Sequence, residues 1–289
     1  MKQLAFTKMH GIGNDYIYVH CPHGLDFDPC SMARKLSPRH TSIGADGLVL
    51  MLPCDTADYQ MRMFNADGSE GGMCGNAIRC VGKYLYDRGI VHKTHMTIET
   101  KTGIRTLDLF PDSSDKIAMV RVDMGQARLS PADVPHSMDK PMIDTPISTP
   151  YGTFRTTALM VGNPHAVIFV DDVTSFPLNE LGLYWQSNPL FPQRVNMEIA
   201  HVIDPHTIEM RVYERGSGET YACGTGASAT VAAAVLGGRC PPDTDVTVRL
   251  MGGDLTIHCT KDLYLHMTGP ATKVYDGVVE YEEDAGKTF

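Results

Sequence analysis

The sequence predicts an α/β (α+β) protein built from two similar halves, each mostly sheet with one main helix. Three observations predict it. The chain has 289 residues, a length at which one core stops growing and a second begins. It resembles itself at a single ungapped offset. Its short apolar runs alternate with few helical patterns, and the two main helical runs each follow a glycine-rich loop.

The offset is 149 residues. It sets Met61-Arg62-Met63-Phe64-Asn65 on Met210-Arg211-Val212-Tyr213-Glu214, Glu70 on Glu219, and Cys74-Gly75 on Cys223-Gly224. The same register joins Gly13-Asn14 to Gly162-Asn163, Asp55 to Asp204 and Gly89 to Gly238. Along the first half, Tyr16–Val19, Leu48–Met51, Gln60–Phe64, Met96–Glu99 and Met119–Val122 read as strands. In the second half, Ala166–Val170, Thr207–Tyr213, Val246–Leu250, Leu255–His258 and Tyr264–Met267 read the same way. Helices are predicted over Ser31–Leu36, Cys74–Asp87, Leu178–Tyr184 and Gly224–Leu236, the two main ones closed by Gly89 and Gly237-Gly238. Pro111–Asp115 reads as a turn, and the proline-rich Pro131–Pro150 as connection rather than core.

Composition narrows the function. A net charge of −9 argues against a phosphate-backbone partner, so no nucleic acid is expected. No stretch of 18 apolar residues exists, so no membrane partner is expected either. The opening Met1–Lys8 lacks the apolar segment of a secretion signal, and the expected compartment is the cytoplasm. In that compartment the eight cysteines should be unpaired thiols, and without a Cys-x-x-Cys spacing no metal site is expected.

Two of those cysteines stand out. Cys74 and Cys223 each open a predicted helix, followed by Gly-Asn or Gly-Thr. A helix N-terminus offers outward N–H groups and partial positive charge, which should lower a thiol pKa and can hold a carboxylate. Inverting a stereocentre by proton transfer needs a base on one face of the carbon and an acid on the other. A thiolate and a thiol supplied by two copies of one fold answer that need, and no cofactor is required.

His10–Tyr16, Phe64–Glu70, Met73-Cys74-Gly75-Asn76, Gly162-Asn163-Pro164-His165, and Glu214–Thr220 with Ala222–Gly226 together resemble the diaminopimelate epimerase family. The resemblance runs from about Phe6 to Gly277, with the motifs in the family's order. It implies two pseudo-symmetric domains, each a β-barrel-like mixed sheet around a central helix, with the active site in the cleft between them. The halves would be residues 1–118 with 270–289, and 119–269. It implies a PLP-independent isomerase that interconverts LL- and meso-2,6-diaminopimelate, in lysine and peptidoglycan-precursor biosynthesis. Cys74 and Cys223 fall on the catalytic cysteines, and His165 and Glu214 on positions that tune them. The substrate-binding positions fall on Asn14, Asn65, Gly75, Asn76, Asn163, Asn196, Glu214, Arg215, Gly224 and Thr225. A homodimer is implied too, with Tyr275 at the contact.

The residue chemistry is compatible. The Arg215 fork suits the distal carboxylate of a small-molecule substrate with two carboxylates. The amides of Asn65, Asn163 and Asn196 can donate and accept, and Glu214 can accept from an ammonium. The chain departs from its relatives at Gly47, where some carry glutamine, and at Asn188, where many carry histidine. A related two-thiol proline or hydroxyproline racemase is the alternative, against which the Glu214-Arg215 pair speaks. A nucleotide-binding module is a weaker rival. Gly11-x-Gly13 lacks the third glycine of a dinucleotide fingerprint, and no Walker lysine follows Gly226.

Overall fold

The computed structural model describes residues 2–282 of the chain. Met1 and residues 283–289, which the sequence reading places in the first half, lie outside the described residues. The chain divides into two compact units. One runs to Val122 and resumes at Gly269, and the other is Asp123–Thr268.

The first unit opens with β1 (Lys2–Gly11) and β2 (Asn14–His20), followed by α1 (Pro29–Leu36), β3 (Gly47–Leu52), β4 (Tyr59–Asn65) and the short β5 (Glu70–Gly71). Then come α2 (Gly75–Asp87), β6 (His95–Thr100), β7 (Gly103–Pro111) and β8 (Ile117–Gln126). The second unit holds β9 (Thr145–Thr149), β10 (Gly152–Val161), β11 (Asn163–Phe169), α3 (Leu178–Ser187), β12 (Asn196–Asp204), β13 (Thr207–Glu214) and β14 (Gly218–Thr220). It continues through α4 (Gly224–Leu236), β15 (Thr244–Leu250), β16 (Gly253–Cys259) and β17 (Tyr264–Pro270), after which β18 (Thr272–Tyr281) returns to the first unit.

Each unit is one mixed ladder with the same alternation. In the first, β18, β1 and β2 are antiparallel, β2 and β3 parallel, β3 and β4 antiparallel, β4 and β6 parallel, and β6, β7 and β8 antiparallel. In the second, β9 to β13 and β15 to β17 repeat that sequence of senses, with β9 in the place of β18. Parallel neighbours need a crossover long enough to hold a helix. Each of the four parallel pairs accordingly encloses one helix, and the second crossover of each unit carries α2 or α4.

The offset of 149 survives in the backbone. It maps α2 onto α4, β2 onto β11, and the parallel pairing of Tyr16 with Gly47 onto that of His165 with Asn196. It also maps the Arg62–Glu70 ion pair onto Arg211–Glu219, with a 2.7 Å Nε–Oε1 distance in both.

α4 packs against β10, β11, β12, β15 and β16, so the sheet wraps it, and its residues from Gly224 to Ala234 are all buried. A helix enclosed this way must be apolar all round, and its alanine-rich sequence lets strands approach closely. α2 is amphipathic. Ile78, Cys80, Val81 and Leu85 face the core against β1, β2 and β7, while Lys83, Tyr84 and Tyr86 are less buried. Among the described residues, no helix is long and apolar enough to cross a membrane.

Several expectations need correction. The proline-rich Pro131–Pro150 is not merely connection: Val134 and Met142 are fully buried in the second unit's core, and β9 lies within it. Prolines interrupt the pattern there, but the residues between them still pack. β1, β5, β7, β9, β10, β12, β14 and β18 are strands that the reading of apolar runs did not name. Cys74 is not the first helical residue. It caps the helix.

Candidate active site

The turn after β5 and the turn after β14 each end on a cysteine that is the N-cap of the following helix. Cys74 has φ −123° and ψ 119°, and Cys223 has φ −127° and ψ 108°. In each, sulfur takes the place of the usual cap oxygen. The Ala77 N–H donates to Cys74 Sγ at 3.5 Å, and the Gly226 N–H to Cys223 Sγ at 3.3 Å. The local rule that puts Ser or Asp at a helix entrance has been used twice to hold a thiol there.

Around Cys74 the partners are polar and half open. The thiol donates to Asn14 Oδ1 at 3.2 Å, and Asn14 Nδ2 donates to Asp46 Oδ2 at 2.8 Å. Because a carboxylate only accepts, Asp46 fixes which end of the amide faces the sulfur. Asp46 is held in turn by Arg39, which also grips Asp15 through Nη1 and Nη2, and Lys8 pairs with Asp15 as well. Burial works against ionisation of Asp15, but Arg39 and Lys8 overcome it and hold the carboxyl below its ordinary value. Asn76 is buried and accepts from Arg79 Nη1 at 2.9 Å, while Asn65 is the last residue of β4 and donates to Ser69 Oγ at 3.0 Å.

Around Cys223 the setting is dry and acidic. The thiol is within 3.4 Å of Thr225 Oγ1. The half-buried Glu214 carboxyl accepts from Thr220 Oγ1 at 2.5 Å. His165 is fully buried, with Nδ1 2.7 Å from Glu198 Oε1 and Nε2 2.8 Å from Asn163 Oδ1. Asn196 Oδ1 accepts the Arg215 N–H at 2.7 Å, and Arg215 Nη1 donates to the Gln193 carbonyl at 3.0 Å. A cavity of about 290 Å³ opens here, lined by Asn163, Gln193, Arg215, Met160, Pro164 and Asp133. It is large enough for part of a small amino acid and carries an arginine fork at its wall.

Electrostatics overturn one expectation. The helix N-terminus was expected to lower both thiol pKa values. Burial instead pushes the Cys223 thiol well above its ordinary value, and the charges of Glu214 and Glu198 push the same way. The hydrogen bonds from Thr225 and the Gly226 amide oppose this without reversing it. Burial and the two neighbouring acids thus favour the thiol form of Cys223 over the thiolate.

The structure thus gathers Asn14, Asn65, Cys74, Gly75 and Asn76 in the first unit. In the second it gathers Asn163, His165, Asn196, Glu214, Arg215, Cys223, Gly224 and Thr225. Tyr275 stands apart on β18, 42% exposed, its ring edge-on to Phe6 at 5.8 Å. Asp46, Arg39 and Glu198 take part although the sequence reading did not single them out. For Glu198 a signal existed: a lone acid inside the apolar run Met197–Ala200.

The two departures have local reasons. A Cβ at Gly47 would lie 2.0 Å from the Phe64 carbonyl oxygen, so this backbone admits no side chain there. Asn188 ends α3, and its Oδ1 accepts the Leu190 N–H at 2.9 Å, turning the chain so that Phe191 enters the core.

The model of the family described as diaminopimelate epimerase matches residues 6–130 and 157–274. The chain belongs to that family. A diaminopimelate epimerase of Acetivibrio thermocellus is 49% identical over 97% of this chain and 100% of the relative. One from Bacillus cytotoxicus is 45% identical over 99% and 100%. Among solved structures, a Bacillus anthracis phenazine biosynthesis protein of the PhzF family superposes with a TM-score of 0.73 at 17% identity, over 97% of this chain and all of that one. A hydroxyproline epimerase from Agrobacterium vitis gives 0.70 at 17%, over 96% and 91%. At such identities these structures establish the fold the diaminopimelate epimerase family shares with them, and nothing about substrate.

Proposed function

We propose that the protein interconverts LL- and meso-2,6-diaminopimelate by proton transfer at Cα between Cys74 and Cys223. The observation that carries this reading is the duplicated cysteine N-cap, one at the entrance to each unit's second crossover helix. Family membership supplies the substrate. In the proposed step, one cysteine as thiolate removes the α-proton and becomes a thiol. The electron pair left on Cα is delocalised into the adjacent carboxylate, and the other thiol then delivers its proton to the opposite face and becomes the thiolate. The helix N-termini that the cysteines cap would hold that carboxylate and stabilise its growing charge. Arg215 would take the distal carboxylate, and the amides of Asn14, Asn65, Asn76, Asn163 and Asn196 would orient the rest. His165 and Glu214 would set the charge around Cys223. The chemistry as written needs no cofactor.

The reading also requires the two thiols to reach opposite faces of one carbon. The wider setting proposed is a cytoplasmic enzyme supplying lysine and peptidoglycan precursors. We also propose a homodimer, for which the exposed Val274, Tyr275 and Val278 on β18 offer an apolar contact.

Epimerisation in deuterium oxide tests the reaction. Solvent deuterium should enter Cα of diaminopimelate and not of proline. Cys74→Ala and Cys223→Ala should each lose turnover by on the order of 10³-fold or more, since no second base replaces the missing thiol. Full activity in either variant would end the two-thiol account.

A further inference from the structure

The two copies solve one problem differently, and the difference points to Glu198. In both units an asparagine starts the strand beside the thiol: Asn14 opens β2 and Asn163 opens β11. An amide can present either its oxygen or its nitrogen, so something must decide which. In the first unit Asp46 decides, by accepting from Asn14 Nδ2 and leaving Oδ1 for the sulfur. The position equivalent to Asp46 at the 149-residue offset is Val195, which can decide nothing.

In the second unit the same task falls to His165, whose Nε2 meets Asn163 Oδ1 at 2.8 Å. His165 replaces Tyr16 at the offset, and behind it Glu198 replaces Val49. Both side chains of the pair are fully buried, with His165 Nδ1 2.7 Å from Glu198 Oε1. Glu198 Oε2 has no hydrogen-bond partner among the described residues, so the carboxyl is held through Oε1 alone. A buried carboxylate is expensive without a paired cation.

The ring therefore lies between two acceptors, and only a ring protonated on both nitrogens donates to both. The helix has made room for this arrangement. A Cβ at Gly226 would fall 2.7 Å from Glu198 Oε1, whereas the equivalent residue in α2, facing no acid, is Ala77.

We propose that Glu198 is a positioning residue: by holding His165 with a proton on each nitrogen, it turns the Asn163 oxygen inward and leaves the Asn163 NH₂ as a donor on the cavity it shares with Arg215. That donor would meet a substrate carboxylate or the negative charge that develops during proton transfer. This last role rests on the proposed function; the proton arrangement does not.

Two measurements test it. Long-range ¹H–¹⁵N NMR of the protein without substrate, with the His165 signals identified by their loss in His165→Gln, should show both ring nitrogens protonated. An Nε2 without a proton overturns the proposal, and this result needs no variant of Glu198 to fold. In steady-state assays on diaminopimelate, Glu198→Gln keeps the volume but removes the charge. It should lower kcat/KM on the order of 10²-fold, the scale of a misplaced active-site group. Adding Glu198→Gln to Asn163→Ala should then cost nothing further, to within about twofold.

A Glu198→Gln enzyme as active as the wild type, or a double variant that loses the full additional factor, overturns the inference. A wild-type enzyme that does not exchange the α-hydrogen of diaminopimelate would instead strike the proposed function. The NMR result would still stand.

Discussion

Glu214 and Cys223 show how burial can outweigh a helix terminus at the scale of single residues. Burial, joined by the Glu198 charge, raises the Glu214 carboxyl above its ordinary value, against the pull of the Thr220 hydroxyl, His165 and the Cys223 thiol. A carboxyl whose folded pKa exceeds its unfolded one binds its proton more tightly in the folded protein. Its contribution to stability therefore falls as pH rises from the ordinary carboxylate range through the raised value. Glu214→Gln should flatten that fall, and thermal melts of both proteins across the acid-to-neutral range would check it. An unchanged slope would mean that the carboxylate is better solvated than its burial implies. The cysteines themselves were legible in the sequence because they repeat. The sign of the Cys223 shift was not, because desolvation and two neighbouring carboxylates depend on what the fold packs around the sulfur. Glu198 illustrates the same limit: its sequence position says that an acid lies in an apolar strand, but only the structure pairs it with His165.

At the scale of elements, both main helices end the same way. Gly89 and Gly238 follow the last turns of α2 and α4 with φ of 65° and 66°. Their N–H groups donate to Tyr86 and Val235, and the next residues, Ile90 and Arg239, donate back to Leu85 and Ala234. This is a Schellman closure, which favours glycine because a Cβ is strained at positive φ. A Cβ at Gly238 meets nothing within 4 Å, so Gly238→Ala isolates the backbone strain and should cost about 1 kcal/mol. Gly89→Ala should cost more, because its Cβ also meets the His92 ring at 3.2 Å. Denaturant unfolding of the two variants would rank them, and the reverse order would contradict this account. Both glycines were readable as helix stops. β1 and β18 were not readable as strands, since polar residues interrupt their apolar runs and their mutual pairing joins residues some 270 positions apart. No local window spans such a distance.

At the scale of the molecule, the repeat made the architecture legible, while the return of the chain to its first unit came only through family resemblance. β18 pairs with β1 from Lys2–Tyr281 to His10–Thr272, and Tyr281 closes the core around Leu4, Phe6 and Phe27. Ending the chain before Thr272 should strip β1 of that partner and expose those apolar side chains. Hydrogen exchange should then show the first unit's amides losing protection while those of Asp123–Thr268 keep theirs. Uniform loss across both units would show that the two do not fold as separable blocks.

That closing strand also sets a timetable. Synthesis delivers residues in order, at roughly 5–20 per second, and the second unit is one uninterrupted stretch of chain. It is complete once Thr268 has emerged, whereas the first unit, though begun earlier, waits for Tyr281. The half that is translated first is thus the half finished last. Until then the nascent chain carries an open edge along β1, the kind of edge that recruits unwanted strands.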